Sequence, residues 1–199
     1  MSTKEIKDYN FSKRASAYDE GFEGKASGKF YNLLLGEIEV IPGITVLDAG
    51  CGTGALLNKI ANTCDIKGYG IDVVENMLAE ARKKRPEMSF QISSCDKMPF
   101  SDNMFDIIIS CLSYHHFFNR AGFVKEAARV IKPNGILYLA DPRFPWLVRK
   151  TMNGFFRLTR RIPVFFTHKE IETHFSAAGF IGAGYAFDGY AQVIKLRKV

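Results

Sequence analysis

The sequence predicts an α/β protein whose mostly parallel, seven-stranded sheet is covered by helices on both faces. From residue 44 onward, apolar runs of strand length alternate with segments of helical periodicity, which is typical of consecutive β-α units. The run Phe105–Cys111 (FDIIISC) is apolar on both faces, as expected of a central parallel strand. Asp188-Gly189 separates two β-prone runs near the C-terminus, which indicates a final antiparallel hairpin.

Each strand and helix follows from a local pattern. Apolar runs predict seven strands, at residues 44–49, 67–72, 88–93, 105–111, 136–140, 180–187 and 190–196. Apolar residues at helical spacing predict helices at residues 53–62, 74–84, 121–131 and 169–178. The basic last turn of the second helix suits the helix dipole, and Pro133 and Gly135 end the third. Residues 1–43 are expected to form a helical prefix.

Composition places the chain among globular proteins of one domain. It has 199 residues, of which 47% are hydrophobic and 24% charged, so we expect one domain over residues 1–199. No apolar run approaches the ~20 residues that a membrane-spanning helix needs. The opening MSTKEIKDYN lacks the apolar core of a signal peptide, and we therefore expect a cytoplasmic protein.

The four cysteines give no sign of a metal centre. Cys51, Cys64, Cys95 and Cys111 include no pair at CxxC spacing, and no histidine pair completes a zinc pattern. Disulfide bonds are not expected in a chain without a secretory signal. The sequence therefore predicts no metal site.

The segment VLDAGCGTG, residues 46–54, carries the clearest chemical signal. Gly50, Gly52 and Gly54 lie between a strand and a helix, where the missing Cβ atoms let the backbone turn tightly and approach a ligand. The free N–H groups of the following helix point at that ligand. Asp72 ends the next strand, where an acidic side chain can accept hydrogen bonds from both ribose hydroxyls. Together these features predict a site for a cofactor that carries adenosine.

The kind of cofactor is decided by the surrounding residues. Gly50, Gly52 and Ala55 also fit G-x-G-x-x-G/A, so a nicotinamide or flavin cofactor is an alternative. Asp48 precedes the glycines, where it would repel a pyrophosphate but attract a cationic amino group. Cys95-Asp96 follows the third strand, where a carboxylate can accept from an adenine amino group. These acids, with the C-terminal hairpin, favour S-adenosylmethionine.

At this point the chain resembles the class I S-adenosylmethionine-dependent methyltransferases, in particular the small-molecule branch that includes enzymes of ubiquinone and menaquinone biosynthesis. The matching motifs span residues 11–141 and are FSKRASAYD, VLDAGCGTG, GIDVVENML, CDKMPF, FDIIISC and EAARVIKPNGILYLAD. The resemblance implies a Rossmann-like three-layer sandwich. It also implies a helical cap at 1–43, a cofactor core at 44–141, a lid insert at 142–166, and a last helix and hairpin at 167–199.

The resemblance also implies roles for individual residues. Gly50, Cys51, Gly52 and Gly54 would surround the methionine part of the cofactor, and Asp48 would lie near its amino group. Asp72 would hold the ribose, and Val73 and Met77 would pack on the adenine. The adenine amine would meet the stretch Cys95, Asp96 and Lys97, Cys111 would lie beside the sulfonium, and Tyr18 would close over the carboxylate end. One departure is Asn134, which stands where the family usually has glycine; because Asn tolerates positive φ, the turn should survive.

Candidates for acceptor chemistry follow the fourth strand. Loops at the carboxyl ends of strands hold the sites of this architecture, and Tyr114, His115 and His116 lie there. A histidine could deprotonate an acceptor near neutral pH, or the cluster could only cap a helix and pack on the cofactor. The segment Ser110–Ser113 lacks the Asn/Asp-Pro-Pro-Tyr loop of relatives that methylate DNA adenine or glutamine, which argues against those acceptors.

The net charge of +6 has a local origin. Residues 142–169 hold seven Lys and Arg and no Asp or Glu. As a helix, this segment has two sides: one carries Arg149, Lys150, Asn153, Arg157, Arg160 and Arg161, and the other carries Leu147, Val148, Thr151, Met152, Phe155, Leu158 and Ile162. We expect a lid whose apolar side packs on the core, with weak, salt-sensitive contact to an anionic lipid surface as a secondary property. No nucleic-acid recognition motif is present, so that partner is not expected.

These observations favour an S-adenosylmethionine-dependent methyltransferase with a small-molecule acceptor that we expect to be apolar or amphiphilic. Two alternatives stay open at this stage. One is an NAD(P)-dependent oxidoreductase, and the other is a module that binds S-adenosylmethionine without catalysis.

Overall fold

Seven strands form one sheet in the order β3-β2-β1-β4-β5-β7-β6. The computed structural model describes residues 11–159 and 164–199. Strands β1 to β5 are parallel, and β7 pairs antiparallel with both β5 and β6. The strands are β1 (Thr45–Ala49), β2 (Lys67–Asp72), β3 (Ser89–Ile92), β4 (Phe105–Cys111), β5 (Ile131–Pro142), β6 (Phe180–Asp188) and β7 (Ala191–Lys198). The predicted fold class and the antiparallel hairpin are therefore confirmed.

The described residues also form six α-helices, the first of which precedes the sheet. They are α1 (Phe22–Glu37), α2 (Ala55–Ala61), α3 (Glu75–Lys84), α4 (Arg120–Val130), α5 (Trp146–Leu158) and α6 (His168–Ser176), with short 3₁₀ turns at Ala15–Ala17 and Tyr114–His116. Of the described residues, no helix is long and apolar enough to cross a membrane. The first ten residues of the predicted prefix, and Arg160, Arg161 and Ile162 of the predicted lid, lie outside the described residues.

The sheet has a hydrophobic core on each face. Along β4, Ile107 and Ile109 pack into one core while Ile108 packs into the other, because successive strand side chains point to opposite faces. The buried residues that form each core have less than a tenth of their surface exposed. The result is the three-layer sandwich that the sequence predicted.

The connection between α4 and β5 differs from the prediction. The strand was expected to start at Ile136, but it starts at Ile131, directly after the helix, and includes Pro133. The pairing of β4 with β5 shifts register between Phe105 and Ile107, which accommodates the extra residues. Asn134 has φ +62°, so it adopts the left-handed conformation expected for its turn.

Helix α5 contradicts one expectation about the lid insert. The apolar side of this helix was expected to pack on the core, yet no residue of α5 is buried. Leu147, Phe155 and Leu158 are among the most exposed large hydrophobic residues of the described chain. The polar Arg149 and Asn153 face the protein instead, because each has a partner there.

Candidate active site

One cavity of 640 Å³ opens at the carboxyl ends of β1, β2, β3 and β4. In this sheet order, β1 and β4 are neighbours whose connections run to opposite sides, which is where open α/β sheets bind ligands. The cavity contains most of the predicted cofactor residues, namely Tyr18, Asp48, Gly50, Cys51, Gly52, Asp72, Val73, Met77, Cys95, Asp96, Lys97 and Cys111. Gly54 does not line it.

The glycine loop after β1 needs glycine for two reasons. Gly50, Gly52 and Gly54 have φ values of +84°, +51° and +69°, which L side chains rarely adopt. A Cβ on Gly50 would lie 2.5 Å from Ser113 Oγ, and one on Gly54 would lie 2.9 Å from Ala81 Cβ. Gly54 therefore acts through packing. Gly52 has no atom within 4 Å of its Cβ position and faces the open cavity.

Asp72 connects the glycine loop to the end of β2. Its Oδ2 accepts a hydrogen bond from the Gly52 N–H at 2.9 Å, and its Oδ1 accepts one from the Val74 N–H at 3.0 Å. A carboxylate oxygen can accept more than one hydrogen bond, so Asp72 can shape the loop and still bind a ligand. This structural role was not predicted from the sequence.

Asp48 is a buried carboxyl group for which the described residues provide no ion pair. It is 2% exposed, and its Oδ1 has no hydrogen-bond partner among the described residues. Burial, helped by the negative charge of Asp72, raises the pKa of Asp48 to about 8. A buried acceptor of this kind fits a ligand that brings a cationic N–H group to the wall of the cavity.

The pKa of the Asp96 carboxyl is shifted in the opposite direction from that of Asp48. Its carboxylate accepts hydrogen bonds from the Ser94 hydroxyl and, at 2.9 Å, from Asn119 Nδ2. These two hydrogen bonds, led by that from Ser94, lower the pKa of Asp96. The group is therefore an ionised acceptor at neutral pH, as an adenine amino group requires. Lys97 lines the cavity, and its backbone N–H donates to the Ser94 carbonyl at 3.0 Å, which holds the turn after β3 rather than a ligand.

Three thiols line the cavity, from Cys51, Cys95 and Cys111. Burial raises the pKa of each thiol well above its usual value. They are therefore neutral at physiological pH, which makes them small packing groups rather than nucleophiles.

The N-terminal segment covers the cavity from one side. Tyr18 lines it, and burial raises the pKa of its hydroxyl. Asp19 connects this segment to the core, because its carboxylate accepts a hydrogen bond from Thr53 Oγ1 at 2.6 Å and forms an ion pair with Lys84. Tyr31 of α1 lines the cavity as well.

Several site residues were missed by sequence reasoning. Thr53 and Ser94 each stand beside a predicted residue, so the rule that polar residues after parallel strands form the site could have found them. Asn119 caps the next helix through its Oδ1, and that local role hides its contact with Asp96. Tyr31 gave no local signal, because its place depends on how α1 packs.

The three catalytic candidates occupy different places. His116 lines the cavity, whereas Tyr114 and His115 do not. Tyr114 is buried in the core with its hydroxyl 2.8 Å from His174 Nδ1, and burial raises its pKa. Tyr114 does not line the cavity and its hydroxyl is engaged by His174, so the structure favours a structural role over the predicted catalytic one.

His115 is tied to the end of β5. Its Nδ1 lies 2.8 Å from Asp141 Oδ1, and its backbone N–H donates to Asp141 Oδ2 at 2.9 Å. Both side chains are less than a tenth exposed. The His115 ring lies 3.9 Å from that of His116, measured between centroids. Asp141 thus fixes the orientation of the ring behind His116.

The donors and acceptors of this cavity fit S-adenosylmethionine. Asp48 offers a buried, unsatisfied oxygen for the amino group, Asp72 lies at the end of β2 for the ribose, and Asp96 is an ionised acceptor. Gly52 leaves an open approach to the backbone. The sheet order with its antiparallel β7, the glycine loop and the three acids match the arrangement expected of a class I S-adenosylmethionine-dependent methyltransferase domain.

Comparison with known proteins identifies the same class. Residues 47–139 match the family model described as a methyltransferase domain. A demethylmenaquinone methyltransferase from Chlorobaculum parvum is 37% identical over 100 residues, which are 50% of this chain and 42% of that protein. A 2-methyl-6-phytyl-1,4-hydroquinone methyltransferase from Synechocystis is 34% identical over 103 residues, which are 50% of this chain and 32% of that protein.

The matched segment spans less than half the length of these two relatives. A solved structure of an S-adenosylmethionine-dependent methyltransferase from Thermotoga maritima has a TM-score of 0.74 at 19% identity, over 95% of this chain and 98% of that chain. That similarity extends the fold beyond residues 47–139. The family and the site together indicate S-adenosylmethionine as the cofactor.

We expect Asp72→Ala to weaken binding of S-adenosylhomocysteine, the demethylated product, by ~10²-fold or more, because a half-buried charged acceptor of several hydrogen bonds is lost. The melting temperature should also fall, since the Gly52 and Val74 N–H groups lose their acceptor. Titration calorimetry and a thermal melt measure the two effects. An unchanged dissociation constant would contradict the assignment of Asp72.

Proposed function

We propose that this protein transfers a methyl group from S-adenosylmethionine to a small apolar acceptor by in-line displacement. The observation that carries the proposal is the buried Asp48 carboxyl, whose Oδ1 lacks a partner among the described residues in a cavity with a glycine-loop wall. A site for NAD would bring a pyrophosphate toward this acid, and a second anion there would oppose ionisation of the carboxyl instead of pairing with it. The acid instead favours the cationic end of a methionine moiety.

S-adenosylmethionine supplies a methyl group that its positively charged sulfur has already activated. The protein then has to hold and orient the cofactor and the acceptor and to exclude water. Alignment of the reacting atoms at ~3–3.5 Å accounts for much of the rate of such a displacement. Asp48, Asp72 and Asp96 offer three fixed acceptors along the cavity. Asp19 holds the N-terminal segment against Thr53, which shields the site from solvent.

The wall of the cavity that follows β4 is apolar, which supports the proposal of an apolar acceptor. Leu112, Phe117 and Phe118 line it after β4, and Phe118 is largely exposed at the surface. The two relatives above are named for demethylmenaquinone and for 2-methyl-6-phytyl-1,4-hydroquinone. We propose an acceptor of this chemical class, an aromatic ring with hydroxyl groups and an apolar substituent.

His116 is our candidate for removing the acceptor's proton. It is the member of the predicted cluster that lines the cavity, and a neutral imidazole is a competent base near neutral pH. His115 and Asp141 act behind it as positioning residues. The His115 Nδ1–H donates to Asp141, which fixes the ring against which His116 packs.

A methyl-transfer assay tests the proposed function. The protein is incubated with S-adenosylmethionine labelled on the methyl group and with a reduced short-chain naphthoquinone or a substituted hydroquinone. We expect label in the organic extract, and none when the acceptor is left out. If S-adenosylhomocysteine binds but no hydroxylated aromatic acceptor takes up label, the chain is a binding module rather than an enzyme.

A further inference from the structure

Helix α5 turns most of its large apolar residues toward solvent, while Met152 and Phe156 are half-buried. Leu147, Thr151, Phe155 and Leu158 repeat at intervals of four, four and three residues, so they share one face of the helix. Leu147 is 63% exposed, Phe155 is 56% exposed and Leu158 is 84% exposed. Contiguous exposed apolar surface on a single helix face marks an interaction site.

Two polar side chains fix this orientation of α5. Arg149 Nη1 lies 2.9 Å from Glu170 Oε2, which attaches the helix to α6. Asn153 forms two hydrogen bonds with the backbone of Phe165, accepting at 3.0 Å and donating at 2.9 Å. Because Arg149 and Asn153 point inward, the residues on the opposite face of the helix point outward.

The outward face carries only positive charges. Lys150 and Arg157 are exposed beside the apolar residues, and Lys150 Nζ lies 4.9 Å from the Trp146 ring. Across residues 142–169 the sequence has seven Lys and Arg and no acidic residue. Of the acids near α5, Glu170 is paired with Arg149. We call this surface the α5 patch; it comprises Trp146, Leu147, Val148, Lys150, Phe155, Arg157 and Leu158.

We propose that the α5 patch docks on an anionic lipid bilayer, with α5 lying in the plane of the interface. A helix with apolar and aromatic residues on one sector and cations beside them has the chemistry that interfacial helices use. The apolar residues enter the acyl region, Trp146 lies at the headgroup level, and Lys150 and Arg157 contact lipid phosphates.

The α5 patch also lies near the acceptor side of the cavity. Aromatic rings form a continuous path inward from the helix: the centroids of Phe156 and Phe165 are 6.4 Å apart, and those of Phe165 and His115 are 5.4 Å apart. His115 contacts His116, which lines the cavity. Docking would therefore bring the cavity close to apolar molecules dissolved in the bilayer. This consequence rests on the proposed function, whereas docking itself does not.

Co-sedimentation with vesicles tests the docking. The vesicles are phosphatidylcholine alone, or phosphatidylcholine with phosphatidylglycerol, each at low and high salt. We expect binding to the anionic vesicles that falls by ~10-fold or more at high salt, because surface charges are screened. Leu147→Glu should weaken the binding by ~10-fold or more, since it replaces a lipid-facing apolar group with an anion.

Ile41→Glu is the matched control. Ile41 is 66% exposed, close to the value for Leu147, but it precedes β1 at the opposite end of the parallel strands from the cavity. This variant should bind vesicles like the unmodified protein. Both variants should keep the unmodified melting temperature and affinity for S-adenosylhomocysteine, since both positions are exposed and outside the cavity.

Three outcomes would overturn the proposal. The first is no binding to anionic vesicles at low salt. The second is an equal loss of binding in Ile41→Glu and Leu147→Glu. The third is a concentration-dependent dimer without lipid that Leu147→Glu abolishes, because the α5 patch would then meet a second copy of the chain. If the protein binds vesicles but transfers no methyl group, the docking proposal stands and only the proposed function is contradicted.

Discussion

Asp48→Asn is expected to weaken S-adenosylhomocysteine binding by roughly 10²-fold, because truncating one side of a buried charge pair costs ~2–5 kcal/mol. The same change should raise the melting temperature of the ligand-free protein. The two effects have one cause, since burial of the Asp48 carboxyl without a partner for Oδ1 opposes its ionisation. Asparagine has no charge to bury and none to offer a cationic ligand.

The stabilising effect of Asp48→Asn should depend on pH. In the folded protein the pKa of Asp48 is about 8. In the unfolded chain an Asp loses its proton near pH ~3.9. Between these values unfolding releases a proton, so the Asp48 contribution lowers stability progressively as pH rises from about 4 to about 8. The advantage of the asparagine variant should therefore be small at pH 5 and largest at pH 8 and above.

Scanning calorimetry at pH 5 and pH 8 measures this difference. At ~2–4 °C for each kcal/mol, a gain of several degrees is expected at pH 8. Asp106→Asn is the matched control, because Asp106 lies at the other end of β4, where its carboxylate pairs with Lys132 at 2.8 Å. That variant should not gain stability and should bind S-adenosylhomocysteine normally. A fall in melting temperature of Asp48→Asn at pH 8 would contradict the electrostatic account.

His116→Gln is expected to lower kcat by ~10²-fold or more while the affinity for S-adenosylhomocysteine stays within about twofold. Glutamine keeps hydrogen-bonding capacity at this position in the cavity but cannot act as a base. The reduction in rate should be largest for an un-ionised hydroxyl acceptor, which must lose its proton before or during attack. Rates with labelled S-adenosylmethionine and the true acceptor measure the effect.

His174→Gln provides the matched control for this test. His174 carries the same side chain but bonds Tyr114 outside the cavity, and burial, with a smaller effect of Arg120, lowers its pKa. Its replacement should leave kcat nearly unchanged. Asp141→Asn should lower kcat without changing cofactor affinity, because it disturbs His115 and only through it His116. Normal turnover by His116→Gln would show that the histidines are structural and that alignment alone supports transfer.

Local patterns predicted the fold and the glycine loop because both depend on local chemistry. The three glycines have positive φ, and a tight turn joins β6 to β7 directly after Asp188, although its two residues are Gly189 and Tyr190 because Asp188 still pairs with Ala191. The roles of Tyr114 and His116 could not be separated in the same way. Both follow β4 in one 3₁₀ turn, and only the packing of α6 takes the Tyr114 hydroxyl to His174.

Helix α5 shows the same limit on sequence reasoning. Its periodicity indicated one apolar and one polar side, but periodicity does not determine which side faces the protein. The orientation is set by Glu170, which binds Arg149, and by the Phe165 backbone, which binds Asn153. Both partners lie outside the helix, so their effect depends on tertiary structure.

Titration calorimetry with S-adenosylhomocysteine at pH 7, in phosphate and in Tris, tests the central claim most directly. The account predicts binding with release of about one proton, because Asp48, with a pKa of about 8, is mostly protonated before it meets a cationic amino group. The heats in the two buffers should therefore differ, and they should not differ for Asp48→Asn. NAD should give no binding heat. Tight NAD binding with no response to S-adenosylhomocysteine would contradict the account.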